Sequence, residues 1–573
     1  LPPPTSAGSR WCSRGAAISD TSRKLLFALL LAGVAVYFVA LGNASIWDAN
    51  EAFYVETPRE MLEAHDLVNP SFNYLPRFNK PVLSYWMVAA LYKGFGESVA
   101  VQRFGIALGA MVIIACAFFL GGIRNSGTSS NGRPISPRGP PLSGLVAAIG
   151  LAASPRFVMF ARRIFIDIWV SAFMALTLTF FALSEARPER RRLYLTLMYV
   201  AVGFGVLTKG PVYAALPGLA FALYLVVTRQ LRRATEMMMP LGIVIVAVIV
   251  VPWYAVLYQQ HGWTYIRSFL VTENVERFTE GVGVLQRRGL FFYPPVVFSD
   301  SLPLSLLLPA AAVAAWREPS RLQSLLWCWI VAIVGSFSLS AGKQDLYIFP
   351  IAPAVAALGS AAIARGLSDD RWRGWLRWTL TVAGAVLALA GAGVLAVFET
   401  AGRVYMLDGA TTIGSIAIAS GAAVFALGVA RRPWPSAVTL LVATVAINWI
   451  FVVRVLPDFE RYKPVPYFSR TLQSRLEPDD VVAEYHVALP SLAYYLRRHV
   501  DQYFDPETFV QAMRGSRRVY ATLSADDYRG LSSRLAPGTC VIERRPTFDV
   551  KLGQVLAREP LPELLLITNH CRP

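Results

Sequence analysis

A stretch of about 20 apolar residues is long enough to cross the hydrocarbon of a bilayer, and this length limits what a chain built from such stretches can become. Here they recur about thirteen times, near residues 24–43, 98–122, 142–157, 166–183, 193–208, 211–228, 237–257, 301–316, 321–339, 346–364, 373–397, 411–430 and 436–455. Of the 573 residues, 55% are hydrophobic and 16% charged; an ordinary soluble protein carries about 25% charged residues. Too little polar surface remains to cover soluble cores of that size, so the bilayer must act as solvent. The expected fold class is mostly α: a polytopic transmembrane helical bundle. The first run is too long for a signal-peptide core and is read as a retained helix.

The net charge of +17 does not point to nucleic acid, because the basic residues fall in short clusters between apolar runs. Examples are Arg187 with Arg190, Arg191 and Arg192, and Arg229 with Arg232 and Arg233. A nucleic-acid footprint would form one continuous basic face. Clusters at alternate helix ends are what the positive-inside rule produces. The segment 81–93 is ambiguous, being short and followed by Gly94, Gly96 and Glu97. If it does not span, the Arg-bearing loops 123–141, 184–192, 229–236, 317–321, 365–373 and 431–435 all share the side of the N-terminus. That side is then cytoplasmic.

Three regions follow: a cytoplasmic tail 1–23, a transmembrane domain 24–456 with an outer-face loop 44–97, and an extracytoplasmic region 457–573. The last alternates short apolar strands (VVAEYHV, RRVYATL, TCVIERR, ELLLITN) with helix-like stretches. It is expected to be a small α/β domain. Cys540 and Cys571 both lie in it and are candidates to pair. Cys116 and Cys328 read as small buried hydrophobes. No Cys/His spacing suits a metal, so no metal site is assigned.

This topology collects ionisable groups at the outer helix ends: Asp48, Glu51, Arg59 and Lys80; Arg162, Arg163 and Asp167; Lys209; Glu273, Asn274 and Arg277; and Lys343, Gln344, Asp345 and Tyr347. Charged groups beside hydrocarbon are costly and mark a site by default. Acids and bases on one face suggest a pocket for an anionic substrate with a general base. Simpler roles compete with this one. Asp48 and Glu51 are spaced as a helix cap and its partner three residues on. Arg59 can solvate the outer face of its helix, and one of Arg162 and Arg163 can snorkel to headgroups. Trp253 and Tyr254 suit an interfacial aromatic belt.

Seven motifs in this part of the chain resemble, in order, those of the lipid A aminoarabinose transferase and related GT-C membrane glycosyltransferases, a group that includes the protein O-mannosyltransferases. They are NEAFYVETPREML (50–62), FNKPVLSYW (78–86), RRIFIDIWVSAF (162–173), LTKGP (207–211), PWY (252–254), ENVERF (273–278) and KQDLYIFPIAP (343–353). The resemblance implies a hexosyl or pentosyl transferase. It would take sugar from a polyprenyl phosphate donor to a lipid or glycan acceptor, at the outer face of a bacterial inner membrane. The lipid-linked sugar is then a substrate, and no cofactor is implied.

On that basis Lys80, Arg163, Lys209, Arg277 and Tyr347 are expected at the donor phosphate, where cations stabilise the leaving group. Asp48, Glu51 and Asp167 are the candidate carboxylates for proton removal. Tyr54, Arg59, Tyr85, Glu273, Asn274 and Lys343 are expected to bind other parts of the substrates. Where the family has Asp-Glu, this chain has Asn50-Glu51. An amide is no base, so the expectation moves to Asp48, two residues earlier. Pro58 is expected to kink or re-time the following helix. The rivals are a protein O-mannosyltransferase-like enzyme, a lipid or sugar transporter, and a binding protein that has lost its chemistry.

Overall fold

The computed structural model describes residues 20–48, 50–77, 79–123, 142–276, 279, 288–400, 407–548 and 559–571. Among these, eight helices are long and apolar enough to cross a membrane, or ten if two bent pairs each count as one span. The bent pairs are Leu142–Ala152 with Pro155–Ala161, and Leu290–Asp300 with Leu304–Arg317. Asp20–Ala35, Arg191–Lys209 and Val212–Val227 fill the remaining expected positions; they are shorter or carry charges at their ends. The chain is a multi-pass membrane protein.

Leu83–Phe95 has 13 residues, about 20 Å of helix at 1.5 Å per residue. It is too short to span and packs instead against Asn50–Glu63 and Val99–Gly122. The Arg-bearing ends are tied together by ion pairs. Glu185 holds Arg191 at 2.8 Å and Arg233 at 2.5 Å, and Glu318 holds Arg365 at 3.6 Å and Arg371 at 3.3 Å.

Between membrane helices there is little hydrophobic driving force, so close packing of small residues takes its place. Asp370–Leu395 and Ala410–Val429 meet through glycines: a Cβ on Gly384 would stand 2.5 Å from Phe425 N, and one on Gly391 2.6 Å from Gly414 O. Ser98 and Ser320 start their helices by accepting the backbone N–H of Val101 and Gln323.

Beyond the last long helix lies a five-stranded sheet. In spatial order its strands are Asp501–Tyr503, Val481–Tyr485, Val519–Ser524, Glu563–Thr568 and Cys540–Pro546. The first three are parallel, and the last two run antiparallel to their neighbours. Alternation puts Leu565 and Ile567 on one face with Phe509 and Met513, and Leu564 and Leu566 on the other with Phe468 and Leu492. Strand Asp501–Tyr503 is too short and polar to be read from sequence. A disulfide joins Cys540 to Cys571, with Cα atoms 6.0 Å apart.

Candidate functional site

The centre is built where helix Arg191–Lys209 ends. Gly210 has φ +113°, a conformation L side chains rarely adopt, and Pro211 then opens the next helix. This Lys-Gly-Pro turn leaves the Lys209 ammonium at a helix end, where it pairs with Asp167 in the first turn of Ile166–Ala186. Two aromatic rings flank the ammonium, Tyr347 at 5.5 Å and Tyr213 at 5.8 Å from their centroids. The Tyr54 hydroxyl feels both charges of the pair; burial first, and then its neighbour Tyr85, raise its pKa. Tyr54 and Tyr85 stack with centroids 6.1 Å apart. A cluster containing Val82, Tyr85 and Leu207 ties the segment that follows Lys80 to the one that ends in Lys209. Lys80 itself is half-buried in the turn before Leu83–Phe95.

The other expected residues sit elsewhere or have other partners. Both Asp48 oxygens accept from Ser491 of the C-terminal domain, one from the backbone N–H at 2.7 Å and one from the hydroxyl at 2.8 Å. Asp48 neither caps its own helix nor stands free as a base. Burial pushes its pKa up to about 6, against the Ser491 bonds that lower it. Glu51 is fully buried and accepts from Trp47 N at 3.0 Å and Ile164 N at 3.1 Å, with Arg103 at 3.4 Å. A carboxylate so fully committed to backbone N–H groups holds the shape of this loop.

Arg59 does not solvate the outer face of its helix: it is buried and donates to Glu56, Glu63 and Tyr74. Arg163 lies 4.5 Å over the Trp47 ring, and Lys463 lies 4.3 Å from it. Arg162 donates to the Val36 and Val39 carbonyls at the end of the first helical segment and does not snorkel. Lys343 is buried and donates to Ser340 O at 2.5 Å. Trp253 is buried, its Nε1–H donating to Val68 O at 3.1 Å, so it faces no lipid interface. Arg277 and the side chains of Glu273 and Asn274 lie outside the described residues.

Helix Asn50–Glu63 continues through Pro58. Proline lacks the N–H that would bond Tyr54 O, and the Gln102 amide approaches that carbonyl at 3.4 Å instead. Sequence reasoning passed over Arg156 and Asp300. They meet at 3.3 Å where the two bent helix pairs touch, with Ser154 donating to Asp300 O at 3.1 Å and Asp345 on the far side of Arg156. Broken helices at membrane depth were the available signal, since freed backbone needs protein partners there. Among the described residues, no group of three or more His, Cys, Asp and Glu side chains could hold a metal ion.

The fold has a solved counterpart. Crystal structures of ArnT from Cupriavidus metallidurans, in the apo state and bound to undecaprenyl phosphate, superpose with TM-scores of 0.75 and 0.74. They cover 96% of this chain and 98% of theirs at 20% identity. The fold is that of ArnT. The expected transmembrane helical bundle with its small C-terminal sheet domain is therefore present. In sequence, the chain is similar to the undecaprenyl phosphate-alpha-4-amino-4-deoxy-L-arabinose arabinosyl transferases of Pseudomonas fluorescens (28% identity over 65% of this chain) and Pseudomonas savastanoi pv. phaseolicola (31% over 61%). The matches span about three-fifths of those relatives' length, 61% and 62%. Residues 140–255 match the family described as dolichyl-phosphate-mannose-protein mannosyltransferase.

Proposed function

We propose that this chain is a membrane glycosyltransferase that moves a sugar from a polyprenyl phosphate donor to a lipid acceptor at the outer face of a bacterial inner membrane. The observation that carries this reading is the Asp167–Lys209 pair ringed by Tyr54, Tyr213 and Tyr347, in a chain with the ArnT fold and similar to aminoarabinose transferases. The relatives' names favour a pentose, aminoarabinose, as the sugar.

The chemistry follows from the pair. A donor phosphate competes with Asp167 for the Lys209 ammonium, and Tyr347 can hydrogen-bond its oxygens. Cations and donors aimed at the phosphate stabilise the charge that grows as the sugar–phosphate bond breaks. Lys80 is assigned to the same phosphate. Asp167, released from Lys209, accepts the proton of the acceptor hydroxyl as its oxygen bonds to the anomeric carbon. The free polyprenyl phosphate leaves. No cofactor enters this scheme.

The test is transfer from undecaprenyl phosphate-aminoarabinose to lipid A by the full chain in nanodiscs, read by mass spectrometry. Loss of product in Lys209→Ala and Asp167→Asn supports the reading; no product from the unaltered chain with any polyprenyl donor removes it. The match at residues 140–255 favours a second reading, with a protein Ser or Thr as acceptor, and a serine-rich peptide in the same assay decides between them. Orientation is tested by cysteines placed at the exposed positions 187 and 529. Labelling of both from the same side of the membrane would overturn the outer-face assignment.

A further inference from the structure

The C-terminal domain grips one helix at both ends. At the start of Asn50–Glu63, Asp48 takes both donors of Ser491. Ile46 N–H donates at 3.1 Å to the hydroxyl of Tyr495, on the same short helix as Ser491. Lys463 donates to Ser45 O at 2.8 Å. Toward the other end, the hairpin of Ser71–Phe72 and Leu75–Pro76 lies along the helix. Glu60 accepts Tyr74 N–H at 3.1 Å, and Arg59 donates to the Tyr74 hydroxyl at 3.1 Å.

The hairpin's tip is held from the far side. Asn73 donates from Nδ2 to Val500 O and accepts Val500 N–H at Oδ1, both at 2.8 Å, and His499 Nδ1 stands 2.8 Å from Asn73 O. Asn73 and Tyr74 have φ of 57° and 60°. A non-glycine residue keeps such a backbone only where its surroundings over-determine it.

The helix between these grips needs holding. It contains Pro58, a residue that weakens a helix interior, and it buries Glu51, Glu56 and Glu60, whose charges need partners there. It also carries Tyr54, which packs with Tyr347 against the cluster that contains Tyr213 and feels the charges of Asp167 and Lys209. We infer that the C-terminal domain is the positioning element of the site: through Asp48 at one end and Asn73 at the other, it holds Asn50–Glu63 and Tyr54 in register over the Asp167–Lys209 pair. Asp48 and Asn73 are then positioning residues that touch no substrate. The inference rests on the reading of that pair as the reaction centre.

The test uses the full chain in nanodiscs, with two readouts: steady-state transfer, separating kcat from donor KM, and hydrogen exchange of the amides of 50–63. Ser491→Ala combined with Asn73→Ala should speed exchange in 50–63 at least about tenfold. It should lower kcat by roughly 10- to 100-fold, the cost of a misplacement near 1 Å, while donor KM changes less. Asp48→Asn keeps the grip, because its amide oxygen accepts the Ser491 N–H and its NH2 can donate to the hydroxyl. It should stay within about fivefold, whereas loss of a general base costs on the order of 10²–10⁴.

Asp48→Cys with Ser491→Cys replaces the hydrogen bonds by a covalent link. Protection and turnover should both return on oxidation and fall again under a reductant that leaves the unaltered chain, with its Cys540–Cys571 disulfide, unchanged. Unchanged exchange in the double alanine variant overturns the inference. So does faster exchange with unchanged kcat, or an Asp48→Asn variant as damaged as Asp48→Ala. An unaltered chain that transfers no sugar defeats the functional reading instead, and the exchange arm then decides the grip alone.

Discussion

Two groups of buried charges stand on the same face of this protein, and they differ in what satisfies them. In the first, Glu51 and Arg103 are paired, but most of their bonds go to backbone: Trp47 and Ile164 N–H for the acid, and the Leu41, Ala44 and Ser45 carbonyls for the base. In the second, Asp167 and Lys209 hold each other, with tyrosine rings around them. A charge committed to backbone cannot change partners without unfolding its loop. A charge held by one mobile side chain can exchange that partner for a phosphate or a hydroxyl. The first arrangement makes shape and the second makes chemistry available.

The sharpest way to break this comparison is to neutralise one acid from each group. Asp167→Asn should lower sugar transfer per folded molecule by a factor on the order of 10²–10⁴, beyond the stability lost as Lys209 gives up its counter-charge. If Glu51→Gln has the larger effect on turnover per folded molecule, the roles are reversed. Glu51→Gln is expected to act on stability. It leaves buried Arg103 without its counter-charge, a change that costs about 3–5 kcal/mol when a buried pair loses one partner, read as a lower midpoint in detergent.

A pH series sharpens the comparison at the grip of the C-terminal domain. Glu484 is buried and accepts Leu489 N–H at 3.2 Å; burial, followed by smaller opposing effects, pushes its pKa up to about 8. Asp48, which faces Glu484, Glu51, Lys463, Tyr495 and Ser491, is pushed up to about 6. Both acids bind protons more tightly folded than unfolded. Their contribution is full below the unfolded values near 4 and is lost as pH rises through about 6 and then about 8. The domain should therefore be less stable at pH 9 than at pH 6, by about 3 kcal/mol. Glu484→Gln should flatten the upper part of that dependence; an unchanged slope would show that Glu484 does not carry it. The smallest effect is expected at Pro58. Gln102→Leu withdraws the donor from Tyr54 O and from the Tyr92 hydroxyl and should cost about 1 kcal/mol, together with faster exchange of the amides around Tyr54.

Much of this was legible before any fold was known. Apolar runs of bilayer length and clustered arginines identify a membrane bundle, because hydrocarbon imposes one length and one satisfied backbone on everything that crosses it. Leu83–Phe95 was placed outside the spans by charge placement alone. The strands of the C-terminal domain showed through their apolar runs, except Asp501–Tyr503, which is too short to show a period. The motif around Lys209 marked itself because a Gly-Pro pair can only end one helix and begin another.

The partners of the ionisable groups were not legible. Asp48 and Ser491 are separated by 443 residues, and Asn73 and Val500 by 427, so no local spacing announces either contact. By sequence alone Asp48 and Asp167 are equivalent, two acids at helix starts on one face. Only the tertiary structure separates them, by giving one a pair of fixed donors from a distant domain and the other a lysine. Composition and periodicity decide what a segment dissolves in, since that is a property of the segment. What a carboxylate does depends on which dipoles and charges lie within about 4 Å, and those are supplied by the rest of the fold.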